Sequence, residues 1–275
     1  MTDPDEVVAQ SQEALHGEGH DYTVGSPHLR HRDLRDVLEN KIDSAVSEVV
    51  RRTGGCRVLE IGAGHGSFTD VVVRAGGMVT VTEMSRPSTD LLTRRFAGAD
   101  QVTILYDPDG REAFRRGGTY DLILLISVIH HIPDYLGLIE ELIDTLLAEH
   151  GSVLTYQDPL WYPKQSRTAM ATSWGSYFVW RLGQGEIRRG LKTRLRRLRG
   201  TYDDQEPSDL VEYHVIRDGV DQRALKRLFE SRFESVSSEE YFSTQLPALQ
   251  KLGSRLFPPN TFGISGRDAR PADRR

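Results

Sequence analysis

The sequence predicts an α/β protein: a doubly wound, seven-stranded, mostly parallel sheet, interrupted late in the chain by a helical cap. Three observations carry that prediction. Val58, Leu59 and Ile61 end a buried apolar run, Gly62, Gly64 and Gly66 follow as a tight turn, and Ser67 and Phe68 open a helix reaching about Ala75, which is a strand, turn and helix in immediate succession. Apolar strand-like runs then alternate with helical patterns as far as Tyr156, and such a rhythm implies right-handed crossovers between parallel strands. From about Asp158 to His214 the rhythm stops, and all three tryptophans (Trp161, Trp174, Trp180) fall in that stretch with Tyr162, Tyr177 and Phe178.

The elements follow in order. Residues 1–25 are polar and acidic without a sustained period and are expected to form a mobile arm. Ser26 reads as an N-cap and Pro27 as the first helical residue, with Leu34, Val37, Leu38, Ile42, Val46 and Val49 at helical spacing behind them. The α/β core then runs over 26–157, the cap over 158–214, and the rest of the core over 215–275. Beyond the glycine turn, strands are expected at Met78–Thr82, Val102–Leu105, Asp121–Ile126 and Ser152–Tyr156. Helices are expected at Pro87–Phe96 and from Pro133 through Leu147, ended by Gly151. The run DLILLI has the continuous apolar character of a strand buried on both faces. After the cap come a helix near Asp221, a strand near Val236–Phe242, a helix at Pro247–Leu256 and a last strand at Thr261–Ile264.

The glycine spacing narrows the ligand. A dinucleotide turn reads G-x-G-x-x-G, but here the third position falls on Ser67 and Gly66 comes one residue early. The pattern is E-x-G-x-G-x-G from Glu60, and it resembles the first cofactor motif of the class I S-adenosylmethionine (SAM)-dependent methyltransferases. A glycine turn without a ligand and a nicotinamide site are the alternatives. The resemblance covers roughly Arg57 to Asp158 and implies a Rossmann-like methyltransferase fold whose last two strands pair antiparallel at the sheet edge. It also implies S-adenosyl-L-methionine lying over Gly62, Gly64 and Gly66, with Glu60 near the methionyl amino group. Glu83, at the end of the second strand, falls where an acidic residue holds the ribose hydroxyls. Asp107 falls at the adenine position, although Pro108 has no N–H to offer the ring. Ser127 follows the fourth strand and is placed with the cofactor residues. The helix before the first strand often closes over the cofactor in that family, which would bring His28 and His31 to the site; exposed positions on a helix are the plainer reading for both.

The run V-I-H-H-I-P-D at Val128–Asp134 resembles the matching segment of methyltransferases acting on sugars of glycosylated natural products, where a histidine pair and a later aspartate deprotonate the acceptor hydroxyl. His130, His131 and Asp158 are accordingly the candidate catalytic residues, with Gln157 one position from Asp158. The plainer reading has one histidine capping the next helix and the other packing on the cofactor. No metal is expected, because side chains of adjacent histidines in an extended backbone alternate in direction.

The favoured function is therefore O-methylation of a small molecule, with a sugar or glycosylated secondary metabolite as acceptor. Alternatives are RNA or lipid-linked acceptors and a non-catalytic SAM-binding protein. The segment S-V-I-H-H replaces the N-L-P-Y type run with which rRNA adenine dimethyltransferases grip a flipped base. A net charge of −5 also speaks against a chain that coats nucleic acid. The helix-like run at 186–199 carries seven basic residues around Ile187, Leu191, Leu195 and Leu198, and reads as a solvated face, a contact for an anionic acceptor or a peripheral membrane anchor. The N-terminus lacks the character of a secretory signal and no apolar run approaches the roughly 18 residues of a membrane span, so the cytoplasm is the expected compartment. The single cysteine, Cys56, leaves no internal disulfide and reads as a packing thiol.

Overall fold

The computed structural model describes residues 25–183 and 213–271. Seven strands form one sheet in the order β3-β2-β1-β4-β5-β7-β6. They are β1 (Arg57–Ile61), β2 (Met78–Glu83), β3 (Val102–Tyr106), β4 (Tyr120–Ile126), β5 (Leu147–Pro159), β6 (Phe233–Tyr241) and β7 (Thr261–Ala269). The first five run parallel, while β7 pairs antiparallel with both β5 and β6. That is the doubly wound, edge-reversed sheet expected from the sequence.

The apolar strand β4 shows how the sheet divides its core. Leu122, Leu124 and Ile126 join the cluster formed with α2 (Arg32–Thr53), α3 (Thr69–Arg74) and α4 (Arg86–Arg95), whereas Ile123 and Leu125 join the one on the other face. Successive side chains leave a strand on opposite faces, so a strand covered on both sides must be apolar throughout. The second face is covered by α5 (Glu112–Arg116), α6 (Tyr135–Thr145) and α9 (Gln222–Arg232), with Ile139, Leu142, Leu225 and Phe229 at most 1% exposed. On the first face Leu38, Ile42 and Val46 of α2 are fully buried at the expected helical spacing. Each contributes about 1.5–3 kcal/mol by leaving water.

Several boundaries differ from the sequence reading. The first helix breaks in two: α1 (Pro27–Arg30) ends at His31, whose backbone is extended, before α2 begins. The tertiary contact that outweighs helical periodicity there is a hydrogen bond donated by His31 Nε2 to Thr244 O at 2.7 Å. Ser26 occupies the N-cap position but makes no side-chain cap bond. The helix after the glycine turn starts at Thr69, because Gly64 to Phe68 complete turns first. Pro133 does not start a helix; a single 3₁₀ turn spans Ile129–His131, and α6 begins after Asp134, whose carboxylate caps the Gly137 N–H at 3.0 Å. The helix ends at Thr145, and Leu147 belongs to β5, paired with Tyr120. Within 158–214 the described residues hold the end of β5, a 3₁₀ turn at Tyr162–Lys164, α7 (Arg167–Gly183) and the start of α8 (Tyr213–Ile216). Between β6 and β7 lies α10 (Pro247–Leu256). The expected arm, apart from Gly25, and the basic run at 186–199 lie outside the described residues. Cys56 is buried and its thiol is pushed up to about 12 by burial, as suits a packing group. Among the described residues no helix is long and apolar enough to cross a membrane.

Candidate functional site

The carboxyl ends of β1 to β5 share one edge of the sheet, and every candidate residue read from the sequence lies along it. After β1 the chain turns through Gly62, Gly64 and Gly66, with φ of 67°, 57° and 78°. Two of these glycines are demanded by the protein itself. A Cβ on Gly66 would sit 2.6 Å from the Phe96 ring and 2.8 Å from Leu92, and one on Gly62 would sit 2.8 Å from Val128. The contact with Val128 also shows that the turn after β1 lies against the segment after β4.

Three carboxylates are buried at neighbouring strand ends. Glu60 is 2% exposed, Glu83 8% and Asp107 4%. The Thr69 hydroxyl donates to Glu60 Oε2 at 2.6 Å. Glu83 ties the turn to its own strand end, since the Gly64 N–H donates to Oε2 and the Ser85 N–H to Oε1, both at 2.9 Å. Asp107 accepts from the Glu112 N–H at 2.9 Å, so its carboxylate starts α5. Burial raises Glu60 and Glu83 to about 7 and moves Asp107 upward as well. Neither glutamate makes an ion pair among the described residues; a ligand that brings a cation or hydroxyl donors would supply what burial has taken away. That is the chemistry of an ammonium group and a ribose, and the fit to the expected cofactor rests on these acids more than on the glycines.

On the β4–β5 side, Ser127 holds a φ of 58° while its N–H donates to Tyr156 O at 2.7 Å. The following 3₁₀ turn corrects the expectation that the histidine pair sits in extended backbone. His130 and His131 rings lie side by side, with centroids 4.0 Å apart and planes tilted by 42°. His130 is 7% exposed, its Nδ1 lies 2.7 Å from Asp158 Oδ1, and its backbone N–H donates to the same oxygen at 3.2 Å. Asp158 is fully buried and its Oδ2 has no partner among the described residues. Burial holds its carboxyl above the usual range, against the opposing effect of His130. Among the described residues no group of three or more His, Cys, Asp or Glu is arranged to hold a metal ion.

Register decides that Asp158, rather than Gln157, meets His130. The pairing of β5 with β7 shifts between Tyr156 and Asp158, and Gln157 bulges out with φ of 68°. An extra residue in a strand reverses the facing of the residues after it. Gln157 is instead held in a second network, donating to Ser243 Oγ at 2.8 Å and accepting from Tyr241 OH at 3.0 Å.

Two further histidines lie near the site. His28, for which the sequence offered both an approach to the site and a plainer exposed position, is 4% exposed and stacks on Phe68 with centroids 5.7 Å apart. Burial, and then the charge of His130, lower it to about 3. His214 donates from Nε2 to Ile132 O at 2.9 Å and stands edge-on to Tyr135, with Asp158 close enough to interact with its charge. Neither lies in a motif, and only contacts between distant segments reveal them.

Comparison with known proteins agrees with this architecture. Over 85 residues the chain is 34% identical to the chloroplastic ribosomal RNA small subunit methyltransferase of Arabidopsis thaliana, covering 31% of this chain and 22% of that protein. Over 92 residues it is 29% identical to the ubiquinone biosynthesis O-methyltransferase of Actinobacillus pleuropneumoniae, covering 31% and 39%. The chain thus spans between 22% and 43% of the length of the curated relatives it matches. Among solved structures, the N-methyltransferase NodS of Bradyrhizobium japonicum with S-adenosyl-L-homocysteine superposes with a TM-score of 0.53 at 12% identity, covering 95% of this chain and 98% of that one. The plantazolicin methyltransferase BpumL, with a monoazolic desmethyl analogue and the same product, gives 0.51 at 14% identity, covering 97% and 95%. These two share the fold. The family described as "Methyltransferase domain" matches residues 29–231, from α1 through α9, and the chain belongs to that family.

Proposed function

We propose that this protein transfers the methyl group of S-adenosyl-L-methionine to a hydroxyl of a small molecule, with His130 as the base and a sugar or glycosylated secondary metabolite as the favoured acceptor. The observation that carries the reading is the hydrogen bond between His130 Nδ1 and Asp158 Oδ1 at 2.7 Å in a buried setting. When bound, the cofactor supplies a methyl group activated by its sulfonium. Asp158 accepts only if Nδ1 carries the proton, which leaves the lone pair on Nε2. His130 Nε2 would then take the hydroxyl proton, leaving the acceptor oxygen as the nucleophile for the methyl group that the cofactor would supply. Asp158 steadies the imidazolium that results, and such a base contributes roughly a hundredfold to ten-thousandfold in rate.

The cofactor residues take the roles their positions suggest. Gly62, Gly64 and Gly66 would bed the methionine part, Glu60 would meet its amino group, Glu83 would accept from the ribose hydroxyls, and Ser127 would border the transfer site. Asp107 is the adenine-side carboxylate; one of its oxygens is already engaged at α5, and Pro108 offers no N–H. His131, half-buried beside His130, borders the acceptor. Phosphorylated, nucleotide-linked or lipid-linked acceptors would engage the basic run at 186–199.

RNA is the second reading, favoured by the matches to ribosomal RNA methyltransferases. Against it stands the His-His turn where those enzymes grip a base. The two separate when the protein is incubated with methyl-labelled SAM and a cell extract divided into small-molecule, lipid, protein and RNA fractions. Label in polar small molecules or glycosides is the expected result, and label in RNA would overturn it.

A further inference from the structure

A buried polar atom without a hydrogen bond calls for an explanation. Among the described residues His28 Nδ1 is such an atom, on a side chain only 4% exposed. Its place in the fold is well fastened. Gln245 Nε2 donates to Gly25 O at 3.4 Å on one side of α1, and His31 Nε2 donates to Thr244 O at 2.7 Å on the other. The four-residue helix is thereby tied at both ends to adjacent residues of the segment between β6 and α10. Between these ties the His28 ring lies at 24° to the Phe68 ring, just past Gly66 and just ahead of α3. His130 is near enough for its charge to depress protonation of His28. The imidazole therefore lies near both the glycine turn and the His130–Asp158 pair, neutral and with its Nδ1 unpartnered among the described residues.

Resting on the function proposed above, we infer that His28 contacts the cofactor: its Nδ1 hydrogen-bonds the charged amino-acid end of SAM, the part bedded on the glycine turn that runs directly into Phe68, the ring on which His28 stacks. That end carries an ammonium donor and a carboxylate acceptor. A neutral imidazole serves either one, as acceptor or as donor, by choice of tautomer. Glu60, the acid expected near the same end, has one carboxylate oxygen already engaged by Thr69. The adenosine part is anchored elsewhere, along Glu83 and Asp107, so His28 separates the two ends of one ligand.

Two probes test this with the full chain: S-adenosyl-L-homocysteine, which has the amino-acid end, and 5′-methylthioadenosine, which lacks it. Calorimetric titration of wild type, His28→Phe and His28→Asn is compared, with a thermal melt of each. Phe keeps the stack without the nitrogen, and Asn places a polar atom near that of Nδ1. The expected result is that His28→Phe weakens S-adenosyl-L-homocysteine by about ten- to a hundredfold, as for loss of a hydrogen bond to a charged group. Binding of 5′-methylthioadenosine stays within about twofold, and His28→Asn recovers most of the loss. Unchanged affinity in His28→Phe, or equal loss for both probes, would overturn the contact while leaving the cofactor reading intact. A wild-type chain that binds neither probe would overturn both.

Discussion

Asp158 accepts twice through one oxygen from one residue: His130 donates to Oδ1 from Nδ1 at 2.7 Å and from its backbone N–H at 3.2 Å. The two bonds fix the imidazole's plane and its distance together, so the ring has one orientation to offer an acceptor. His130→Ala is expected to lower turnover by about a hundredfold or more while S-adenosyl-L-homocysteine still binds. Asp158→Asn removes the charge that steadies the imidazolium and lets the amide favour the other tautomer, so a fall of roughly a hundredfold to ten-thousandfold is expected. Steady-state rates with the methyl-labelled cofactor, beside calorimetric binding, check both. Equal turnover in wild type and His130→Ala would remove the base from the mechanism.

The buried glutamates predict how stability follows pH without cofactor. Glu60 and Glu83 stand at about 7, raised from 4.5 chiefly by burial. Between those values the folded chain holds protons the unfolded chain has released. Their contribution is therefore complete below about pH 4.5 and is lost as pH rises through about 7. Glu60→Gln, which stays neutral, should lose less melting temperature between about pH 5 and 7.5 than wild type does, as read by differential scanning calorimetry. Parallel slopes for the two proteins would mean that Glu60 does not titrate in this window.

Gly66 offers a test of the turn that needs no ligand. Its φ of 78° disfavours any side chain, and a Cβ there would meet the Phe96 ring at 2.6 Å. Gly66→Ala should cost about 1–3 kcal/mol in urea unfolding, from backbone strain and overpacking together. Gly98 also has positive φ, but a methyl group there would meet nothing within 4 Å, so Gly98→Ala should cost less. Equal costs would show that the packing against α4 contributes nothing.

What the sequence made legible was whatever repeats or breaks a period. DLILLI announced a strand covered on both faces, the glycine run marked the turn, and Pro247 and Leu256 bounded a helix that the structure keeps residue for residue. Glu60 and Glu83 stood out as acids at strand ends beside the glycine run, and His130, His131 and Asp158 through the resemblance of the run at Val128–Asp134; strand ends bring all five to one edge. What stayed hidden was set by contacts between distant segments. The break at His31 follows from a bond to Thr244, and Leu147 left its helix to pair with Tyr120. Gln157 adopts a left-handed conformation that its residue type does not advertise, and its bulge alone turns Asp158 toward His130. His28 carries no local signal, since its neighbours Phe68 and His130 come from other elements.

The strand that separates β5 from β6 is made after both of them. A nascent chain emerging from the ribosome therefore delivers β6 before it has a neighbour to pair with, and β5 waits with one edge bare. Until β7 slides between them, two open edges of complementary hydrogen-bonding pattern are exposed in the same molecule, and each is a template for another chain. Asp158 sits on one of those edges, so the register that β7 imposes on β5 is what holds the bulge beside it. A chain in which β7 is missing or unpaired would leave both edges open to pairing with a neighbour.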